Sequence, residues 1–239
     1  MPKELIKARL LRREDITSHL MKIWLDPEQR ITFKAGQYAT LGLEGIERAY
    51  SIVSSPHELP LEFFVELVPH GQLTPKLWRL RPDDYVTMRP RAKGIFTFEW
   101  EYPNHLLIAR VTGIVPFISM IRNNRAHDRK GYRFFVLHGA SYCDEFGYRE
   151  ELENLSAQCP ELLTYVPTVS RPDEDRNKAW DGYGSVGRVN LILENYIKQF
   201  DLRKESTMVY VCGNPGMIED VKGRLLPQEW NIKEERYWK

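Results

Sequence analysis

At Tyr102-Pro103-Asn104 the hydrophobic patterning of this 239-residue chain changes character, and that change constrains the fold more than any other feature. Downstream, Leu106–Ala109, Phe134–His138, Leu163–Val169 and Met208–Cys212 are continuous apolar runs. Such runs fit strands buried on both faces of a parallel sheet. Helical segments lie between them, at Phe117–Asn124, Tyr148–Gln158 and Val189–Phe200. Strand alternating with helix predicts a doubly wound α/β domain. Upstream the β-forming runs are short: Ile16–Trp24, Tyr38–Leu43, Leu61–Val68, Tyr85–Met88 and Ile95–Phe98. Turn signals such as Lys34-Ala35-Gly36-Gln37 and Arg81-Pro82-Asp83-Asp84 separate them, which predicts a small antiparallel barrel or sandwich. One helix is expected near Gln72–Leu80, with Thr74 as N-cap and Pro75 at its first position. The expected fold is therefore two-domain, β plus α/β, with domains at residues 1–100 and 101–239.

Composition narrows the function. A chain 42% hydrophobic and 28% charged can bury one large or two modest cores. Its formal net charge of +1 gives no argument for nucleic acid, where a basic stripe would be expected, and leaves room for a local basic patch that could meet an acidic protein partner. Cys143, Cys159 and Cys212 are an odd, widely spaced set, a poor disulfide framework that predicts a reducing, cytoplasmic setting. They lack the spacing of a zinc or iron–sulfur site, so no metal is expected. Met1-Pro2-Lys3-Glu4 lacks the apolar core of a signal peptide. The longest apolar stretch, around Ile114 to Ile121, falls short of the ~20 residues a membrane-spanning helix needs.

Several stretches carry chemistry. In Arg48-Ala49-Tyr50-Ser51-Ile52-Val53-Ser54-Ser55-Pro56, a guanidinium can donate two hydrogen bonds to a phosphate. Tyr50, two residues on, lies on the same side of a strand, where its ring can stack on a flat heterocycle, and Ser51 adds a hydroxyl at its edge. Taken alone, the stretch fits a plain strand end and polar turn as well. Phe64-Val65-Glu66, then Gly71-Gln72-Leu73-Thr74, reads as a strand and glycine loop entering a helix, whose N-terminus suits phosphate; a routine capped helix is the alternative. Leu107 to Phe117 reads as strand, turn and helix. Val209-Tyr210-Val211-Cys212-Gly213-Asn214-Pro215-Gly216-Met217 ends a strand in a small thiol and bare backbone, at the end of a parallel sheet where ligands bind; a structural cysteine is the alternative.

These stretches, in this order, resemble the ferredoxin–NADP reductase family over nearly the whole chain. The resemblance implies an FAD-containing oxidoreductase whose N-terminal barrel binds FAD and whose C-terminal domain binds NADP(H). It implies FAD contacts from Arg48, Tyr50, Ser51, Phe64, Val65, Glu66, Gln72, Leu73, Thr74, Thr112, Tyr237 and Trp238. It implies NADP contacts from Thr112, Gly113, Ala140, Ser141, Ser170, Arg171, Arg188, Cys212, Gly213, Asn214, Pro215 and Met217. Tyr50, Ser51 and Cys212 would stand nearest the chemistry. Gly94-Ile95-Phe96-Thr97-Phe98 looks like the family's closing barrel strand. Two departures stand out: Arg110-Val111 replaces Thr-Gly in the turn before Thr112-Gly113, and Ser141 stands where an arginine often faces the 2′-phosphate. Some bacterial members end in Tyr-Trp, as Tyr237-Trp238 nearly does here. The implied partner is a separate ferredoxin or flavodoxin, the implied state a monomer, and Arg89, Arg91 and Lys93 are candidate docking charges. The alternatives are a reductase for another acceptor (free flavin, a haem protein, an oxygenase component) and a non-catalytic, redox-responsive flavoprotein.

Gly182-Tyr183-Gly184-Ser185-Val186-Gly187 matches a dinucleotide-binding fingerprint but follows a charged loop rather than a strand. It reads as part of an exposed loop from Arg171 to Gly187 that feeds the Val189 helix.

Overall fold

The structure, a computed structural model, describes residues 4–180 and 184–237. It divides into two compact units. One runs up to Phe98 and takes in Val115–Asp128; the other holds Glu99–Ile114 and the chain from Arg129 onward.

The first unit is a six-stranded antiparallel sheet, rolled into a nearly closed barrel, of β1 (Ile6–Asp15), β2 (Leu20–Pro27), β3 (Tyr38–Leu43), β4 (Ile46–Ser51), β5 (Leu61–Glu66) and β6 (Tyr85–Met88). Their order is β4-β3-β6-β1-β2-β5. The two end strands approach just beyond β4, where Val53 N donates to Glu62 O (2.9 Å) and Glu62 N donates to Ser54 Oγ (2.8 Å). Inside, Ile6, Ala8, Leu10, Met21, Ile23, Leu25, Leu41, Phe63 and Val65 form one core. Ile6, Ala8 and Leu10 alternate with Lys7, Arg9 and Leu11, the period of a half-buried strand. The rest of β1, Arg12-Arg13-Glu14-Asp15, carries charge, and sequence reasoning passed over it. Its outward pairs explain the strand: the Arg12 guanidinium lies 4.4 Å from the ring centre of Trp24.

Three expectations need correction here. The run at Ile16–Trp24 begins as a turn, with Ile16 N and Thr17 N both donating to Leu20 O, so β2 starts at Leu20. Ile95–Phe98 is not a strand: Phe96 and Phe98 are buried while Ile95 is 90% exposed, and the local pairing is a single bridge between Tyr38 and Lys93. The helix α1 is only Thr74–Leu77, capped by Leu73 without a side-chain bond. Thr74 Oγ1 instead accepts from Val68 N (3.0 Å) and donates to Val68 O (3.1 Å), tying the preceding turn.

Helix α2 (Val115–Ala126) completes this unit. Ser119 Oγ donates to Ser54 O (2.8 Å), and Arg122 Nη1 donates to the buried carboxylate of Glu62 (2.7 Å).

The second unit is an all-parallel sheet of β7 (Asn104–Arg110), β8 (Arg133–Ala140), β9 (Leu163–Val169), β10 (Ser185–Val186), β11 (Thr207–Gly213) and β12 (Asn231–Arg236), in the order β10-β9-β8-β7-β11-β12. The chain winds outward from β7 in one direction and then returns to its other side at β11. That reversal makes the β7–β11 boundary the switch point, the place where ligands bind in such sheets. Helices α4 (Val189–Gln199) and α5 (Pro215–Leu225) bury one face against Phe135, Leu137, Val209 and Val211, while α3 (Arg149–Gln158) packs on β9. The described residues between Arg171 and Gly187 depart from the expected exposed loop, and residues 181–183 lie outside the described residues. Asn177 is buried, and Ser185–Val186 pairs with Thr168–Val169 as an edge strand.

Candidate functional site

In the second unit, a cleft of about 570 Å³ opens at the carboxyl ends of the strands. It is lined from β7 by Arg110, from β8 by Gly139, Ala140 and Ser141, and beyond β9 by Ser170 and Arg171. Arg188 enters from the N-cap of α4, with Asn214, Gly216 and Met217 at the start of α5. Of the residues expected at NADP, Ala140, Ser141, Ser170, Arg171, Arg188, Asn214 and Met217 thus share one cavity. Pro215 is the first residue of α5, and the Asn214 side chain caps it by accepting from Gly216 N (2.8 Å). Three arginines and a capped helix start make an electropositive cradle fit for the phosphates of a dinucleotide.

The loops that carry these groups are cross-linked. Asn177 donates to Ser141 O (2.9 Å) and to Arg171 O (2.7 Å) and accepts from Cys143 N (2.7 Å). Arg171 Nη1 donates to Tyr142 Oη (2.9 Å) and pairs with Glu174 (3.4 Å). These contacts hold Arg171 at the rim and keep it firmly cationic.

Beside the cleft, at the switch point, Thr112, Gly113, Cys212 and Gly213 come together. A short 3₁₀ turn, Val111–Ile114, follows β7. A Cβ on Gly113 would sit 2.1 Å from Cys212 O, so only glycine lets this turn lie on the end of β11. Cys212 is fully buried, and burial, assisted by Glu235, pushes its thiol well above the usual range against a weaker opposing bond from Tyr237. Tyr237 Oη also donates to Thr112 O (2.9 Å). The hydroxyl therefore ties together three residues that sequence reasoning had singled out separately. Trp238 lies outside the described residues.

In the barrel unit, Arg48 and Tyr50 project from the same side of β4. Arg48 Nη2 donates to Gln72 Oε1 (2.7 Å) and Nη1 to Glu47 O (2.8 Å), which orients the guanidinium at the surface. Two of five donors are used there, so the fork can still take a phosphate. Tyr50 is half-buried against the barrel core, and desolvation, partly offset by Arg48, pushes its hydroxyl up to about 12. Ser51 ends β4, buried. Phe64, Val65 and Glu66 form the last half of β5; Val65 faces the core, as does Leu73, so Leu73 has only its backbone to offer a ligand. Of the three candidate docking charges, Arg89 is committed to Glu47 (2.5 Å), whereas Arg91 and Lys93 are exposed.

Sequence reasoning missed Arg110 as a cleft residue. Its position directly before the turn was the available signal. It also missed Asn190 and Asp220, joined at 2.7 Å in the same cleft, for which no local pattern exists.

A six-stranded antiparallel barrel together with a doubly wound unit whose switch point carries a cationic cleft defines the class of two-domain, nucleotide-linked oxidoreductases. Residues 107–223 match the model of the oxidoreductase NAD-binding domain. The flavodoxin/ferredoxin–NADP reductase of Escherichia coli is 32% identical over 205 residues, covering 80% of this chain and 78% of that protein. Its namesake from Buchnera aphidicola is 30% identical over 229 residues, covering 86% and 88%. The crystal structure of a ferredoxin NADP+ reductase from Neisseria gonorrhoeae with bound FAD and NADP matches with a TM-score of 0.87 and 25% identity over 100% of both chains. The chain belongs to the ferredoxin/flavodoxin–NADP reductase family.

Proposed function

We propose that this chain is an FAD-dependent oxidoreductase that carries electrons between NADP(H) and a ferredoxin or flavodoxin. The observation that carries the reading is the cleft at the β7–β11 switch point. It gathers Arg110, Arg171 and Arg188 for phosphates, beside the buried Thr112 and Cys212 and the Tyr237 hydroxyl that bonds Thr112 O. Bound FAD supplies the two-electron and one-electron chemistry that no side chain here can perform. The chain's part is to bind, orient and exclude water.

In this reading residues 1–100 serve FAD and residues 101–239 serve the nicotinamide nucleotide. Arg48, held by Gln72, grips the flavin pyrophosphate. Tyr50 lays its ring along the isoalloxazine, and the Ser51 hydroxyl lies at its reactive edge. The backbone of Phe64, Val65, Glu66, Leu73 and Thr74 lines the rest of that site. Arg171 and Arg188 take the 2′-phosphate, Ser141 and Ser170 the adjoining ribose, and Asn214, Pro215 and Met217 the nicotinamide half. Cys212 acts as a small neutral wall for the nicotinamide ring, and Tyr237 yields its place when that ring enters. The partner is a separate chain, drawn by Arg91 and Lys93, and the enzyme works as a cytoplasmic monomer. Among the described residues no helix is long and apolar enough to cross a membrane.

Anaerobic stopped-flow mixing of the flavin-loaded protein with NADPH, and separately with NADH, tests the proposal. Bleaching of the flavin band, faster with NADPH, is expected. A flavin that neither nucleotide reduces would overturn it. Reversing the charges of Arg91 and Lys93 should slow ferredoxin or flavodoxin reduction and leave ferricyanide reduction unchanged.

A further inference from the structure

Val111 has φ +45°, in the left-handed region. The other non-glycine residues there among the described residues are Glu44, Asp83, Asp128, Asp201 and Glu229, all acidic. Val111 is thus the β-branched exception, and a branched Cβ makes this conformation costly. It is also buried, at 5% exposure, and it opens the turn that sets Thr112 and Gly113 against Cys212. Such an outlier persists only where its surroundings over-determine it.

The surroundings point to one side chain. His138, on β8 opposite Ala109 of β7, is fully buried. Its Nε2 lies 3.0 Å from Val111 O and its Nδ1 lies 3.2 Å from Tyr165 Oη. A carbonyl only accepts, so Nε2 carries the proton and donates, and Nδ1 accepts from the tyrosine hydroxyl. The ring of Phe146 stands edge-on at 4.9 Å and closes off rotation. The imidazole reaches forward two residues beyond its register partner to grip the strained peptide.

We propose that His138 is a positioning residue for nicotinamide binding. Through its Nε2–H bond to Val111 O it holds the left-handed turn that presents Thr112 and Gly113 to the nucleotide, with Tyr165 fixing the tautomer. The inference rests on the nucleotide-binding reading of the cleft. It explains how the turn keeps its shape with valine at 111.

The test uses the FAD-loaded protein and four variants: His138→Leu, His138→Gln, Val111→Gly and the double variant His138→Leu/Val111→Gly. Calorimetric NADP+ titration gives the affinity, and amide hydrogen exchange follows the peptide spanning residues 111–114. His138→Leu removes the donor and should weaken NADP+ by about tenfold, the scale of one buried carbonyl left unpaired, with faster exchange in that peptide. His138→Gln keeps an N–H at the equivalent reach and should retain most of the affinity. Val111→Gly removes the demand for restraint, so adding His138→Leu on that background should cost less than threefold, an interaction beyond additivity. A merely structural role for His138 lowers thermal stability alike in both backgrounds and leaves NADP+ affinity at temperatures well below melting unchanged; that result overturns the inference. If His138→Leu does not fold, His138→Gln and the double variant decide: a loss of about tenfold or more in His138→Gln against the wild type, with the same loss in the double variant against Val111→Gly, overturns it. A wild-type protein that binds no NADP+ overturns the nucleotide reading itself and this inference with it.

Discussion

Cys212 illustrates how burial decides what a residue can do. Its thiol is fully enclosed, and desolvation disfavours the thiolate, so at neutral pH it stays protonated and unreactive. Iodoacetamide at pH 8 should modify Cys143 and Cys159, which are part-exposed, and spare Cys212 in the native protein. Mass spectrometry of the labelled peptides checks this, and equal labelling of all three would refute the picture. Arg48 makes the opposite case, a charge left at the surface and oriented by Gln72. Arg48→Ala should loosen FAD by roughly 10- to 100-fold, the range for a charge-assisted phosphate contact, read as flavin released on gel filtration or by fluorescence titration. An unchanged FAD affinity would remove Arg48 from the proposed site.

Between elements, two contacts lend themselves to a test of stability. The Glu62 carboxylate on β5 is buried and meets Arg122 on α2 at 2.7 Å. Arg122→Met removes the cation from a buried anion and should destabilise the protein by about 3 kcal/mol, whereas adding Glu62→Gln should recover much of that loss. Urea denaturation of the single and double variants measures both. In the second unit, Gly113→Ala drives a methyl into the Cys212 carbonyl. Backbone cannot yield as a side chain does, so a loss of about 3 kcal/mol is expected, with NADP+ affinity falling alongside. Melting temperature and calorimetry read the two effects, and a fully stable variant would contradict the close approach of the Val111–Ile114 turn to the end of β11.

For the molecule as a whole, the buried histidines set an acid limit. Burial is the main cause that lowers His138 to about 4 and His105 to about 3, from an ordinary 6.5. Between 6.5 and those values the unfolded chain binds more protons than the folded one, so stability falls as pH is lowered through that window and levels off below it. Urea midpoints should therefore drop steadily from pH 7 to pH 4.5. His138→Gln should flatten part of that slope, and an unaltered slope would show that His138 titrates normally. Much of this architecture was legible in the residues. The apolar runs of β7, β8, β9 and β11 stand out because a parallel sheet buries both faces and leaves no room for charge. The motif order marked the ends of β7 and β11, where the cleft opens. β1 escaped notice because its second half, Arg12-Arg13-Glu14-Asp15, is charged throughout, and its pairing comes from β2 and β6 rather than from its own composition. Phe96 and Phe98 mimic a strand because alternate burial does not require a ladder. By itself, then, the sequence determined the two-part plan, the switch-point turn and the family, since periodicity and small residues at fixed spacing are local properties. Only the tertiary structure decided that Asn177 would knit the cleft loops, that Tyr237 would reach Thr112 across 125 residues, and that His138 would grip the strained Val111. Those contacts join side chains far apart in the chain, and their energy depends on burial and direction, which no local pattern records.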